Sequence, residues 1–209
     1  MNTESQIKPQ ILICAAGQSR RMMPRDKLML PVNEHPMLRH IGLEIAELNY
    51  PTVAALPPHP HPRWDALDGL DILCCSFVES VEGLSGTLRA AVATIPQEIT
   101  HLCVVLADLP HLRARDFIDV FKAVRANPSA TIWRPITASG QPAHPTVFHR
   151  RSFQAFASIK GDEGAKNIIS AFQKDMISVS CDPVSGVHDI DTPEEYLEFL
   201  KQQESLAPQ

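Results

Sequence analysis

Cysteine is scarce in this chain and poorly spaced for chemistry. The five residues, Cys14, Cys74, Cys75, Cys103 and Cys181, form an odd count without a C-x-x-C pair. Most sit in apolar runs and read as buried small hydrophobes in a reducing compartment, not as a disulfide framework. Long apolar runs are missing too: none approaches the roughly 18 residues that a membrane span requires. The N-terminus lacks the basic-then-apolar pattern of a signal peptide. A soluble, cytoplasmic protein with no membrane partner is expected. Positive charge is in deficit, with 19 Lys and Arg against 24 Asp and Glu and a net charge of -5, which argues against a nucleic-acid partner. There is no internal repeat and no linker rich in Gly, Ser or Pro, so residues 1–209 are read as one domain.

What is present alternates. "ILIC" reads as a strand buried on both faces, and Leu38, Ile41, Ile45 and Leu48 recur at helical spacing after Pro36. "TVAAL" (52–56) and "DILCCSF" (71–77) read as strands with a short helix around Asp65 between them. "GLSGTLRAAVATIP" reads as a helix, and "HLCVVLAD" (101–108) as the strongest strand. Phe117, Val120, Phe121 and Val124 make the stripe of a further helix. Strand–helix alternation of this kind implies a parallel sheet with helices on both faces. Beyond residue 130, "ATIWRPI" and "HPTVFHR" are strands separated only by a Gly-containing turn, so this pair is expected to be antiparallel. "RSFQAFASI" and "EGAKNIISAFQ" look helical, "MISVSC" is a late strand, and "TPEEYLEFLKQQ" is a last helix.

Directly behind the first strand the acidic balance reverses. Over residues 14–27 the basic residues are Arg20, Arg21, Arg25 and Lys27 and the single acid is Asp26. Ala15, Ala16 and Gly17 are small enough for the backbone to approach a ligand, and exposed amides at such a turn attract anions. Arg21 as a planar fork and Lys27 as a point charge would neutralise phosphate oxygens. Neither G-K-[ST] nor G-x-G-x-x-G is present, which disfavours P-loop ATPases and dinucleotide dehydrogenases. On pattern alone the loop is either a polyphosphate cradle or a solvated basic turn.

Acids complete the picture. Asp108 ends the central strand, at the edge where open α/β sheets gather ligands, and one Asp facing a triphosphate suffices for Mg²⁺. In "VHDIDTPEEY", Thr192, Pro193 and Glu195 spell a capping box. Asp189 and Asp191 are not explained by that cap; two residues apart in an extended segment, they share a side and could reach one metal. His59 and His61 in "PPHPHP" suit an extended proline-rich loop better than a metal site.

Six stretches in order resemble the molybdenum cofactor cytidylyltransferases over about residues 10–200. They are "AAGQSRRM…DKLMLP", "EGLSGTLRAAV", "ADLP", "GQPAHPTVF", "GDEGAK" and "DIDTPEEY". The resemblance implies a Rossmann-like three-layer α/β/α nucleotidyltransferase fold. Its sheet would be mostly parallel, with an antiparallel strand in the C-terminal half. A nucleotide-binding half at about 10–125 would join an acceptor-binding half at about 126–200. It also implies transfer of CMP from CTP to the terminal phosphate of a molybdopterin-type cofactor, with Mg²⁺ as cofactor and a molybdoenzyme as possible recipient. Ala15, Ala16, Gly17, Ser19, Arg21, Lys27 and Ser85 would hold the nucleotide, with Arg21, Lys27 and Asp108 catalytic. Asp108, Asp189 and Asp191 would hold the metal, and His144, Asp162, Gly164 and Lys166 the acceptor. Met23, Gly86, Ala107 and Lys166 depart from the family pattern, and Ala16 replaces a glycine of the guanylyl relatives, which favours CTP over GTP. Two alternatives stay open: a transferase for another phosphorylated acceptor or for GTP, and a non-catalytic carrier of the cofactor.

Overall fold

A computed structural model of the chain describes residues 7–22, 24–161, 163–181 and 186–206. Nine strands and six α-helices are assigned among them. β1 (Pro9–Cys14) leads through the cationic loop to a two-residue hairpin, β2 (Pro31–Val32) and β3 (His35–Pro36), then to α1 (Met37–Ala46) and β4 (Thr52–Ala55). α2 (Pro62–Ala66), β5 (Leu73–Cys75), α3 (Leu84–Ala93), β6 (His101–Leu106) and α4 (Ala114–Ala126) follow. The remainder is β7 (Ile132–Ile136), β8 (Thr146–His149), α5 (Lys166–Ala171), β9 (Met176–Ser180) and α6 (Pro193–Leu206).

Seven strands form one sheet in the order β5-β4-β1-β6-β8-β7-β9, in which β8 alone runs antiparallel to its neighbours. The alternation of side chains along each strand sorts the core into two layers. Ile11 and Ile13 of β1 and Cys103 and Val105 of β6 face α1, α4 and α6. Leu12, Leu102 and Val104 face α3, α5 and the segment between β8 and α5. The stripe of Phe117, Val120, Phe121 and Val124 is fully buried. At about 1.5–3 kcal/mol for each large apolar side chain removed from water, that stripe alone is enough to hold α4 on the sheet. This is the three-layer α/β/α fold expected.

Two elements differ from expectation. The strand at 71–77 shrinks to Leu73–Cys75, as befits an edge strand with a solvated flank. Residues Arg150–Ser158 form a 3-10 helix instead of an α-helix. Its two anchors, Phe153 and Phe156, are three residues apart and therefore eclipse on one side at three residues per turn.

The strand order also locates a ligand edge. From β1 the chain moves outward to β4 and β5, then returns to the other side of β1 as β6. That reversal opens a crevice at the carboxyl ends of β1 and β6. Because β8 is reversed, the residues that precede it lie at the same edge. Thr146 pairs with Val104, which places His144 close to the carboxyl end of β6.

Candidate active site

A cavity of about 650 Å³ occupies this crevice. It is lined by the loop after β1 (Cys14 to Ser19, with Arg21, Lys27 and Leu28), by residues 80–84 with Thr87, and by Leu106, Asp108, Asp189 and Asp191. The loop itself is pinned from behind by Arg63, whose side chain is only 2% exposed. Its guanidinium donates to the carbonyls of Ala15 at 2.5 Å and Gly17 at 2.7 Å, to Ser19 Oγ at 3.1 Å, and to both carboxylate oxygens of Asp26. Burial alone would raise the Asp26 carboxyl, but the hydrogen bonds and charge of Arg63, aided by the Leu28 amide and His61, hold it below the usual carboxylate range. The acid that stood out among the bases of the loop is thus the counter-ion of a residue 37 positions away.

Lys27 and Asp108 face each other across the cavity floor. Lys27 Nζ donates to Asp108 Oδ2 at 2.6 Å and to Asp191 Oδ1 at 2.6 Å, and Arg21 Nη1 donates to Asp191 Oδ2 at 2.5 Å. Desolvation opposes the Lys27 charge, yet Asp108 and Asp191 outweigh it and raise its pKa. Asp191 is lowered in turn: Lys27 and Arg21 overcome its partial burial. Asp189 moves the other way, raised by burial and by the like charges of Asp108 and Asp191. Cys14, also on the cavity wall, has its thiol pushed up to about 12 by burial and by Asp108, which disfavours the thiolate.

One ligand atom from each of Asp108, Asp189 and Asp191 lies within 4.8 Å of the others, the single such cluster of potential metal ligands among the described residues. The backbone explains the convergence. The Ile190 amide donates to the Asp108 carbonyl at 3.1 Å and its side chain is buried in the core, so the aspartates on either side of it turn together toward the cavity. Asp108 Oδ1 is buried and has no hydrogen-bond partner. An oxygen-only donor set with an unpaired carboxylate oxygen suits a hard divalent ion. The capping box closes as read: Glu195 Oε2 accepts from the Asp191 and Thr192 amides, and Thr192 Oγ1 accepts from the Glu195 amide. Tyr196 then ties α6 to the Pro31 carbonyl at 2.7 Å.

Other expected site residues lie elsewhere. Ser85 is fully buried, and its hydroxyl donates to the Lys160 carbonyl and accepts from the Gly164 amide, each at 3.1 Å. Both Ser85 and Gly164 are therefore committed to joining α3 to the 160–164 turn, and neither lines the cavity. Lys166 is exposed at the start of α5 and does not line the cavity either. Asp162 and Met23 fall outside the described residues. His144 lies beside the crevice, with Nδ1 3.4 Å from the Val104 carbonyl, and lines a second cavity of about 350 Å³ between α4 and β9. Burial lowers its pKa; of the two charges that reach it, Arg134 lowers it further and Asp108 raises it. His61 caps α2, accepting from the Arg63 amide, and His59 packs edge-on to Trp64, so the histidines of the proline-rich loop are structural. Gly86 admits no side chain, because a Cβ would stand 1.8 Å from the Glu79 carbonyl oxygen.

Arg63 was not foreseen. Its segment reads as a proline-rich loop, and the only hint is an arginine at the start of a helix otherwise flanked by apolar residues.

A family model described as the MobA-like NTP transferase domain matches residues 11–176. The chain belongs to this family. As an NTP transferase it is a nucleotidyltransferase, and Lys27 and Asp108 lie within the matched residues, whereas Asp189 and Asp191 lie beyond them. No curated protein matches the chain. Among solved structures, that of the Mycobacterium tuberculosis Rv0371c homolog from Mycobacterium sp. strain JC1 is similar, with a TM-score of 0.79 at 23% identity over 96% of this chain and 98% of that one. Rv0371c of M. tuberculosis H37Rv in complex with manganese superposes with a TM-score of 0.74 at 22% identity, covering 93% and 98% of the two chains. CMP:2-keto-3-deoxy-manno-octonic acid synthetase complexed with CTP gives 0.68 at 15% identity, covering 94% and 99%. These likenesses bear out the three-layer α/β/α fold. No helix among the described residues is long and apolar enough to cross a membrane.

Proposed function

We propose that this transferase moves CMP from CTP to the phosphate of a molybdopterin-type cofactor and releases pyrophosphate. The observation that carries the reading is the meeting of Lys27 with Asp108 and Asp191 in one cavity beneath the loop of Ala15, Ala16 and Gly17. A cationic loop and a carboxylate trio meeting in one crevice suit a metal-bound triphosphate. The six stretches that resemble the cytidylyltransferases support the acceptor, and a neighbour of the same fold is complexed with CTP. Ala16 in place of a loop glycine supports cytidine over guanosine.

In this reading Arg21 and Lys27 turn from the carboxylates to the β- and γ-phosphate oxygens of the leaving group. Asp108, Asp189 and Asp191 would hold the divalent ion, Mg²⁺ in our reading; Mn²⁺ is the ion in the Rv0371c complex. When bound, such an ion supplies Lewis-acid stabilisation of charge at the α-phosphate. An acceptor phosphate oxygen attacks the α-phosphorus in line, and the bond to the bridging oxygen of pyrophosphate breaks. The nucleophile is already ionised, so no side chain is needed as general base. Orientation of two anions and their charge neutralisation are the chain's contributions. We assign recognition of the acceptor to the edge that carries His144, which lies beside the carboxyl end of β6.

The test is pyrophosphate release from each of the four nucleoside triphosphates with Mg²⁺, with the pterin cofactor or with sugar and alcohol phosphates as acceptors. Turnover with CTP and the pterin cofactor is expected, and Asp108→Asn lowers it by about a thousandfold or more while leaving the protein folded. Turnover with GTP alone overturns the base assignment. Turnover only with another phosphate overturns the acceptor, and tight cofactor binding without pyrophosphate release leaves a carrier.

A further inference from the structure

We infer that Arg63 is the positioning residue of the nucleotide site: from behind the loop it turns two peptide planes so that their amides face the polyphosphate. The inference rests on the nucleotidyltransferase reading and deepens it. A guanidinium has five N–H donors in a fixed fork, and here all five go to one loop, residues 15–26. Nη1 serves the Ala15 and Gly17 carbonyls, Nη2 serves Ser19 Oγ and Asp26 Oδ1, and Nε serves Asp26 Oδ2.

The consequence follows from peptide geometry. In a trans peptide the C=O and the next N–H point in opposite directions, and cis bonds among the described residues are confined to His59–Pro60 and His144–Pro145. With the Ala15 and Gly17 oxygens drawn back to Arg63, the N–H groups of Ala16 and Gln18 are directed away from it, and both residues line the cavity. The Ala16 amide has no acceptor among the described residues. Ser19 adds a second sign of imposed conformation: its φ is +50°, a left-handed backbone that a serine seldom adopts, and its hydroxyl lies between Arg63 and Asp26. Arg63 touches neither nucleotide nor metal; it shapes the surface that does. α2 exists to deliver it, opened by Pro62, capped by His61 and anchored by Trp64 Nε1 on the Pro57 carbonyl.

Lysine at this position would keep the charge and lose the fork, so Arg63→Lys separates orientation from electrostatics. The experiment measures binding of CTP, inorganic tripolyphosphate and cytidine, with Mn²⁺ present, to the wild type and to Arg63→Lys, with folding checked by circular dichroism and thermal unfolding. CTP and tripolyphosphate affinities are expected to fall by at least about 10-fold in the folded variant, while cytidine binding stays the same. A residue that only braced the fold would lower the unfolding temperature and leave the ratio of tripolyphosphate to cytidine affinity unchanged, which overturns the inference. If Arg63→Lys does not fold, Asp26→Asn takes its place. That variant keeps the carbonyl contacts but loosens the fork, with about a 3-fold loss for tripolyphosphate expected and no loss overturning the idea. A wild type that binds neither CTP nor tripolyphosphate defeats the nucleotide reading itself, a result distinct from an unaffected variant.

Discussion

Replacing Lys27 with methionine removes a charge while keeping most of the volume, and the structure sets two opposing consequences. Lys27 is 12% exposed and bridges Asp108 and Asp191 at 2.6 Å each. Without it, three carboxylates within 4.8 Å of one another keep, among the described residues, the ion pair with Arg21, 73% exposed. Removing one partner of a buried ion pair costs about 3–5 kcal/mol. Asp108 at 17% and Asp191 at 30% exposure retain some solvent, so the loss here should be about 2–4 kcal/mol. At about 2–4 °C per kcal/mol for a chain of this size, Lys27→Met in EDTA should unfold roughly 5–15 °C below wild type. A divalent ion reverses the balance. In the wild type it must displace Lys27 from two of its ligands; in the variant nothing competes. An ion at a hundred times its dissociation constant adds about 2.7 kcal/mol, so Mn²⁺ should raise the variant's midpoint by more than the wild type's and restore much of the loss. Thermal unfolding in EDTA and in MnCl₂ reads both effects. Arg25→Met, which removes an exposed charge from the same loop, controls for net charge. If Lys27→Met unfolds in EDTA at the wild-type temperature, or gains no more from Mn²⁺ than wild type does, the competition between lysine and metal is refuted.

Two further outcomes test other parts of the structure. Burial, reinforced by His149 and Arg151, pushes the His101 pKa down to about 4, whereas an unfolded histidine titrates near about 6.5. The unfolded chain therefore takes up the proton first. The stability tied to neutral His101 is whole above about pH 6.5 and is lost as pH falls toward about 4, by up to about 3 kcal/mol. Urea unfolding of wild type and His101→Gln at stepped pH should show a shallower acid slope in the variant, and equal slopes would remove His101 from the account. Gly186 has φ +70°, and a Cβ there would stand 2.1 Å from the His144 carbonyl oxygen. Gly186→Ala should therefore cost about 2–4 kcal/mol in urea unfolding and lower pyrophosphate release by displacing the segment that carries Asp189 and Asp191. Wild-type stability in this variant would show that the contact yields without strain.

How much of the site was legible depends on the range over which its parts interact. Asp108 was singled out because it closes the apolar run of the central strand, which the structure ends two residues earlier at Leu106, and Asp189 and Asp191 because the local cap left them unexplained. Ser85 and Gly164 were expected at the site through the resemblance; neither lines the cavity, and the hydrogen bond that joins them spans 79 positions, beyond any local pattern. The same holds for Asp26, which looked like an isolated acid among bases until α2 brought Arg63 beneath the loop.

Periodicity and capping are encoded within a few residues, since backbone sterics and the hydrophobic stripe act over one or two turns. The sequence by itself therefore determined the strand and helix alternation, the capping box at Thr192 and the cationic character of the loop after β1. The tertiary structure alone decided which charges meet: that Lys27 lies between Asp108 and Asp191, that Arg63 is buried against the Ala15 and Gly17 carbonyls, and that β8 turns back to bring His144 beside the end of β6. The physical reason is that hydrogen bonds and close ion pairs form only at contact distance, and contact between distant positions is set by how the strands are ordered in the sheet.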